Sequence, residues 1–256
     1  MKSGSGSQKI KEGGLHEDVY VPFDLNNPVE KALFRKLGSV VSDDRSKLKE
    51  WGAHCWRVAL LTTLTAIALG RPMDQAVDYG VAAYLHDLGK FDPEIAHLFR
   101  LMRKLTPEEK AQADKHSYLG ALKARRIYGD NYEPRKLRLI ITGHLTHHIH
   151  YGGGWLNEIS TSLLYQESGP KFLQGKNIPR IGRIIHVADS FDSMVRKRHY
   201  KTGFMSVEES CAELRKHAGD SFDPSIVETF IQILPKFVQR EQEELLRQAE
   251  LEYRPA

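Results

Sequence analysis

The sequence predicts an all-α protein, a helical bundle in one domain with extensions at both termini, and three observations predict it. Apolar residues recur at helical spacing in several windows, for example at Leu48, Trp51, Cys55 and Val58. Capping residues, prolines and glycines mark where these windows begin and end. No useful length of chain alternates between apolar and polar residues, as a half-exposed strand would.

The elements follow in order from these signals. Residues 1–27 are predicted to be a flexible leader and an irregular arm, 28–234 the main domain, and 235–256 a charged C-terminal helix. Thr106-Pro107 is a strong helix start, and the three glycines of 151–155 predict a forced break. Helices are predicted over about 28–38, 45–69, 74–86, 106–128, 134–148, 181–195, from Ser206 onward, 223–234 and 236–252.

Composition excludes several classes of protein. The chain has 256 residues with 41% hydrophobic and 27% charged residues, which is globular rather than disordered. Two cysteines exclude a disulfide scaffold or a Cys-rich zinc module and favour a reducing compartment such as the cytoplasm. The longest apolar run, Val58–Leu69, is too short to span a membrane. A net charge of +4 permits an anionic ligand without indicating a nucleic-acid polymer.

Two polar pairs lie next to apolar helical segments. Glu50 and His54 are four residues apart, so they project from one helix face and can share a metal ion or form an ordinary surface pair. His86-Asp87 follows an apolar helix, where both side chains can reach one point and the two carboxylate oxygens can bridge two metals. A polar helix end is the structural alternative for this pair.

Asp189 and Asp192 give the strongest single indication of a site. They lie on one face of an apolar helix, and a buried carboxylate is costly unless it is paired or bound to metal. Pairing with Arg183 or Arg196 is the alternative to metal binding.

Three further histidines complete a candidate metal site. His116 lies on the helix after Thr106, and His147-His148 end the helix before the glycine run. Together with the two polar pairs and Asp189, they form a mixed nitrogen and oxygen donor set that is too large for one zinc ion. The set suits two or three adjacent divalent ions, with iron or manganese favoured and nickel or zinc as alternatives.

The order of these residues resembles the HD superfamily of metal-dependent phosphohydrolases, and more narrowly its HD-GYP family, which hydrolyses cyclic di-GMP. The resemblance covers about residues 48–234. The stretches that carry it are Leu85–Lys90, Lys104–Glu109, Val187–Asp192 with Arg198 and Tyr200 behind it, and Phe222–Pro224.

The resemblance implies roles for individual residues. It implies hydrolysis by a hydroxide that bridges the metals and attacks phosphorus, with Asp87 as the bridging ligand. Glu50 would belong to a third metal, and Asp192 would be a ligand or support one. Lys90, Arg198 and Lys201 would contact substrate phosphates. The implied metal ligands are Glu50, His54, His86, Asp87, His116, His147, His148, Asp189 and Asp192.

One stretch departs from the family pattern and leaves the substrate open. Ile149 stands where the family has Glu, and residues 151–155 replace the Gly-Tyr-Pro loop. Trp155 can stack on a base there or simply pack over the site. The alternatives are hydrolysis of another cyclic dinucleotide or nucleotide, a silent nucleotide sensor, and a di-iron oxygenase. The partner expected is a cyclic dinucleotide, and no membrane is expected. The charged C-terminal helix can pair two copies of the chain, but a solvated amphipathic helix is the favoured interpretation.

Overall fold

A computed structural model describes the chain over residues 28–29, 31–33, 45–101, 103–129, 132–195 and 205–252, with the backbone alone over 45–52 and 240–252. The predicted leader and arm lie outside these residues, as does most of the helix predicted over 28–38. Arg196, Arg198 and Lys201 also lie outside them.

The predicted all-α fold class is confirmed. The described residues form helices joined by short turns, together with one pair of antiparallel strands, β1 (Gly154–Leu156) and β2 (Lys171–Leu173). None of these helices combines the length and the apolar character that crossing a bilayer requires. The helices are α1 (Arg45–Ala68), α2 (Met73–Leu85), α3 (Pro107–Ala113), α4 (His116–Tyr128), α5 (Pro134–Thr146), α6 (Glu158–Tyr165), α7 (Arg180–Val195), α8 (Val207–Lys216) and α9 (Pro224–Glu252).

The main core lies where α7 packs against α1, α5 and α9. Helix α7 buries Ile184, Ile185, Val187 and Phe191 almost completely, and the Phe191 ring meets that of Phe230 on α9 at 5.3 Å. Each such side chain contributes roughly 1.5–3 kcal/mol of burial free energy. Because the apolar faces of α7 are fixed in this way, its two aspartates are held on the remaining face.

The helix predicted over 106–128 is two helices, so that prediction is wrong in part. The capping box at Thr106 forms, with the Thr106 side chain bonded to Glu109 N and the Glu109 side chain to Thr106 N. The helix nevertheless ends at Ala113, and α4 begins at His116. The His116 imidazole bonds the Ala113 carbonyl oxygen at 2.7 Å across this break. The break thus places His116 at the start of α4.

The two helices predicted over 223–234 and 236–252 are one continuous helix, α9, with Pro235 inside it. An interior proline costs about 3 kcal/mol because it removes a backbone hydrogen bond and clashes with the preceding turn. Phe230, Leu234 and Phe237 are buried on both sides of it, and this packing holds the helix together. The boundary predicted at residue 234 therefore falls within a helix.

The short strand pair accompanies the helices without changing the fold class. Trp155 faces Phe172 in its register, and Leu156 and Leu173 are buried beneath it. Strands of three residues are too short to display an alternating pattern in the sequence.

Gly89 holds the turn after His86-Asp87 against α4. It lies in a short 3₁₀ helix, Leu88–Phe91, and a Cβ there would collide with the His116 carbonyl oxygen and lie 2.6 Å from Gly120 N. We expect Gly89→Ala to lower the free energy of unfolding by about 3 kcal/mol, because backbone cannot move aside as a side chain can. Urea denaturation measures this loss.

Gly143→Ala is the matched control. Its added Cβ would meet the Ile185 Cδ1 methyl at 3.2 Å, which can rotate away, and alanine favours the helix by about 0.5–1 kcal/mol. Equal losses in the two variants would contradict the importance of the Gly89 contact.

Candidate metal centre

The Asp87 carboxylate is the central group of the site. It is 2% exposed and follows the last turn of α2. Its Oδ2 atom lies 3.3 Å from His86 Nε2, 3.8 Å from His54 Nε2 and 2.5 Å from the Lys90 ammonium. Its Oδ1 atom lies 3.5 Å from His116 Nε2. The two oxygens therefore face different groups of imidazoles.

One group lies on the Oδ2 side. His54 from α1, His86 and Asp87 offer ligand atoms that all lie within 4.8 Å of one another. Asp189 from α7 joins them, with its Oδ1 atom 3.3 Å from His54 Nε2 and 4.0 Å from His86 Nε2. This side combines two imidazoles and two carboxylates, donors that divalent transition metals accept.

The second group lies on the Oδ1 side. His116, His147 and His148 also offer ligand atoms within 4.8 Å of one another. His116 Nε2 is 3.3 Å from His147 Nε2 and 3.1 Å from His148 Nε2. His147 is fully buried, whereas His148 lies at the exposed edge of the group. Asp87 therefore lies between two clusters that it can bridge.

Backbone carbonyls fix the orientation of three of these rings. His86, His116 and His147 each have Nδ1 within 2.6, 2.7 and 2.8 Å, respectively, of the carbonyl oxygen three residues earlier. Because a carbonyl oxygen only accepts hydrogen bonds, Nδ1 must carry the proton. Each neutral ring then turns the lone pair of Nε2 toward the centre.

The resulting arrangement fits metal cations. His116 Nε2 and His147 Nε2 are 3.3 Å apart with both lone pairs facing inward, which is repulsive unless a cation lies between them. Three buried atoms, His54 Nε2, His86 Nε2 and Asp87 Oδ1, have no hydrogen-bond partner among the described residues. Buried polar atoms without partners are rare in folded proteins. These donors fit divalent ions on both sides of Asp87.

The electrostatics of the site keep its carboxylates ionised. Burial raises the pKa of Asp87, but the neighbouring His86 and Lys90 outweigh it and hold that pKa well below the usual range. Burial likewise raises the pKa of Asp189, but the neighbouring His54 and His86 outweigh it and hold that pKa well below the usual range. Burial lowers the pKa of His116 and His147. Burial also lowers the pKa of His54, but the neighbouring Asp189 and Asp192 outweigh it and raise that pKa. Ionised carboxylates and the neutral forms of His116 and His147 are the protonation states in which these groups bind metals.

Arg57 is a residue of the site that sequence reasoning missed. Its Nε and Nη2 atoms donate to the two oxygens of Asp192 at 2.5 and 3.0 Å, and both residues are buried. Asp192 Oδ2 in turn lies 2.8 Å from His54 Nδ1. Asp192 thus contacts the side of the His54 ring that faces away from Asp87. A lone arginine in the apolar run 55–61 was the available signal, because a buried arginine needs an acid.

The alternative pairing of the α7 aspartates with Arg183 is not seen. The Arg183 guanidinium instead bonds the Asp223 carboxylate and donates from Nε to the Ile178 carbonyl oxygen at 2.8 Å. Arg196 lies outside the described residues. Of the two carboxylates, Asp192 pairs with Arg57, and Asp189 faces the histidines.

Two of the predicted substrate residues lie in the described part of the chain. Lys90 contacts Asp87, and its ammonium lies 5.3 Å from the centre of the Phe99 ring. Trp155 is 69% exposed, with its ring 5.2 Å from that of Phe172. The side chain of Glu50, and all of Arg198 and Lys201, lie outside the described residues, so their roles stay predictions.

The stretch that departs from the family pattern is anchored on both sides. Ile149 is 7% exposed and packs in a second apolar cluster, which explains an apolar residue at that position. Tyr151 N bonds Ser221 O at 3.0 Å. Gly153 has φ of +130°, and a Cβ there would collide with the Phe172 ring. Glycine is therefore required for the loop to pass over that ring.

The remaining histidines of this region surround the clusters. His144 is fully buried, and its Nδ1 would lie 2.5 Å from a Cβ at Gly120. The His150 ring lies 5.3 Å from that of His186, whose pKa burial lowers to about 4.

A cleft of about 1210 Å³ opens over the two clusters. Its wall includes His54, Asp87, Lys90, His116, His148 and Trp155. Small-molecule sites typically measure about 300–1,000 Å³, so a ligand of dinucleotide size fits this space.

Comparison with known proteins agrees with this geometry. A family model described as HD domain matches residues 51–194, and a second HD domain model matches 165–226. The chain is 32% identical to a cyclic di-GMP phosphodiesterase of Thermotoga maritima over 70% of its own length and 44% of that protein. It is 28% identical to a 3′3′-cGAMP-specific phosphodiesterase 2 of Vibrio cholerae, over 88% of its own length and 39% of that protein.

The chain spans less than half the length of these curated relatives. Among solved structures, Bd1817, an HDG"Y"P protein from Bdellovibrio bacteriovorus, matches with a TM-score of 0.50 and 17% identity, covering 82% of this chain and 66% of that one. This likeness concerns the fold. The predicted resemblance to the HD superfamily and its HD-GYP phosphodiesterases is confirmed. Because the HD domain model spans more than half of the sequence, the chain belongs to the HD domain family.

Proposed function

We propose that this protein is a metal-dependent phosphodiesterase that hydrolyses a cyclic dinucleotide, with cyclic di-GMP as the first candidate. The observation that carries the proposal is the position of Asp87 between two histidine clusters at the base of an open cleft. Relatives named cyclic di-GMP and cGAMP phosphodiesterases support this substrate class.

Two divalent ions would be held on either side of Asp87. His54, His86 and Asp189 would hold one, and His116, His147 and His148 the other. A third ion at Glu50, one turn before His54, is a further possibility that the family resemblance implies. Nitrogen and oxygen donors together favour iron or manganese, with nickel or zinc as alternatives. When bound, such ions polarise phosphoryl oxygens and lower the pKa of water.

The chain's own residues would position the phosphodiester. The Lys90 ammonium, which lies beside Asp87, would contact phosphate oxygens and balance the negative charge that develops on them. Arg198 and Lys201 would act similarly, by the family resemblance. Asp192 and Arg57 would hold His54 in the orientation that presents Nε2.

Trp155 would contribute a stacking surface for a base. Its ring lines the cleft and is largely exposed, while Phe172 supports it from below. Stacking on an aromatic ring tolerates any base. This contact would therefore strengthen binding without selecting the nucleotide.

A second candidate substrate is 3′3′-cGAMP. The stretch formed by Ile149 and residues 151–155 borders the cleft and departs from the family pattern. A changed cleft border can change which cyclic dinucleotide is preferred, so this substrate is retained as a candidate. A silent sensor is less favoured because a binder does not need buried metal ligands. The His147-His148 pair and the Val187–Asp192 string disfavour a di-iron oxygenase. A homodimer and a cytoplasmic location stay predictions.

Asp87→Ala tests the bridging role. We expect it to lower the metal content of the purified protein and reduce turnover of cyclic di-GMP about a thousandfold or more, because both clusters lose a shared ligand. Elemental analysis and chromatography of the products measure the two effects, and circular dichroism checks that helix content persists. Asp114→Ala, which removes an exposed carboxylate from the same cleft, is the control. Retained metal and activity in Asp87→Ala would remove Asp87 from this role.

Asp192→Asn separates a supporting residue from a ligand. We expect metal affinity to fall about 10- to 100-fold, while the number of ions bound at saturation is unchanged. Titration with Mn²⁺ followed by elemental analysis measures both quantities. The control is Asp223→Asn, which removes a comparable ion pair, between Asp223 and Arg183, that lies outside the two histidine clusters. This control should leave metal affinity unaltered. A lower number of bound ions in Asp192→Asn would instead identify Asp192 as a ligand.

A substrate panel tests the choice of nucleotide. We expect the manganese- or iron-loaded protein to cleave cyclic di-GMP, and Trp155→Ala to raise KM about tenfold, since stacking contributes about 1–3 kcal/mol per base. Product chromatography over cyclic di-GMP, 3′3′-cGAMP and single nucleotides measures the rates. Ile127→Ala, which truncates an exposed apolar side chain of α4 that does not line the cleft, is the control. Cleavage of none of the cyclic dinucleotides would contradict the proposed function.

A further inference from the structure

Residues 98–101 and 103–105 form one wall of the cleft, and apolar side chains hold this wall in place. Leu98 is 5% exposed, and Phe99, Leu101 and Leu105 pack with it in a small apolar cluster around the fully buried Ile95. The residues between these anchors are therefore fixed on the cleft side rather than carried on a loose loop.

Cations occupy the exposed positions of this wall. The cleft lining includes six lysines and arginines of the described chain, and four of them contact a carboxylate. Arg100 and Lys104 line the same cleft and form no ion pair with any described acid. The four that contact a carboxylate are Arg57, Lys90, Arg103 and Lys110.

This wall adjoins the metal centre directly. The Phe99 ring lies 6.0 Å from the His116 ring and 5.3 Å from the Lys90 ammonium. Arg100 follows Phe99 in the chain, and consecutive Cα atoms are about 3.8 Å apart. A ligand of dinucleotide size bound at Asp87 can therefore reach Arg100.

A cyclic dinucleotide contains two phosphodiesters, but the clusters around Asp87 can act on one at a time. The second would remain as an anion in the cleft and requires a positive partner. Guanidinium and ammonium groups are the side chains that best recognise phosphate. The described acids of the cleft, Asp87, Asp114 and Asp192, each contact a cation already and so oppose such an anion less.

We propose that Arg100 and Lys104 form a second phosphate subsite that holds the phosphodiester which is not being cleaved. This inference rests on the proposed function and names the feature of the substrate that the site selects. The subsite favours ligands that carry two phosphates over esters that carry one.

The experiment compares two substrates in the manganese-loaded 256-residue chain. Cyclic di-GMP carries two phosphodiesters, and bis(para-nitrophenyl) phosphate carries one. The test variant is Arg100→Ala/Lys104→Ala. The control is Arg125→Ala/Arg126→Ala, which removes the same charge from exposed residues of α4 that do not line the cleft.

We expect the test variant to lower the ratio of kcat/KM for cyclic di-GMP to that for the single ester about tenfold, mainly through KM. The salt dependence of KM for cyclic di-GMP should also weaken. The control should keep the wild-type ratio within about twofold. An unchanged ratio in the test variant, or an equal fall in the control, overturns the subsite.

Failure of the proposed function gives a different result. If the wild-type protein cleaves neither ester, the phosphodiesterase proposal fails, and equilibrium dialysis with cyclic di-GMP then decides on the subsite. About tenfold weaker binding by Arg100→Ala/Lys104→Ala, with unaltered binding by the control, supports it. Equal binding by the variant, or no binding by the wild type, overturns it.

Discussion

The buried Asp87 carboxylate is the constraint on which the rest of the site depends. An ionised carboxylate that is 2% exposed is stable only when cations or hydrogen-bond donors surround it. Here the Lys90 ammonium supplies one such contact. Imidazoles from α1, α4 and the end of α2 lie around the carboxylate with Nε2 toward it, an arrangement that a metal cation would complete. The ionised state of Asp87 therefore depends on how these helices pack around it.

The helices satisfy this constraint because of where they end. His86, Asp87, His116 and His147 all lie at a helix terminus or one residue beyond it. Side chains at these positions can bond to carbonyls of the last helical turn, and three of the imidazoles do so. Glycines at 89 and 120 allow the termini of α2 and α4 to approach closely.

Sequence reasoning could predict the helical class and the convergence of most site residues, but not how they are supported. Asp189 and Asp192 were conspicuous because charged residues rarely occur on an apolar helix. Their different partners were not predictable, since Arg57 lies 135 residues from Asp192 and no local signal joins them. The break at His116 and the passage of α9 through Pro235 were missed for the same reason. In both places a side-chain bond or tertiary packing outweighs the local propensity.

Backbone carbonyls aim the three imidazoles whether or not an ion is present, and this has a consequence for how the protein matures. The orientation of these rings therefore follows from the helix ends, unlike in a zinc finger, in which metal binding and folding are one event. The affinity of nitrogen and oxygen donors for divalent ions rises from manganese to copper in the Irving–Williams order, so the supply of metal as well as the site decides which ion is bound. The identity of the resident metal would be decided by which ion the cell supplies at the time of loading.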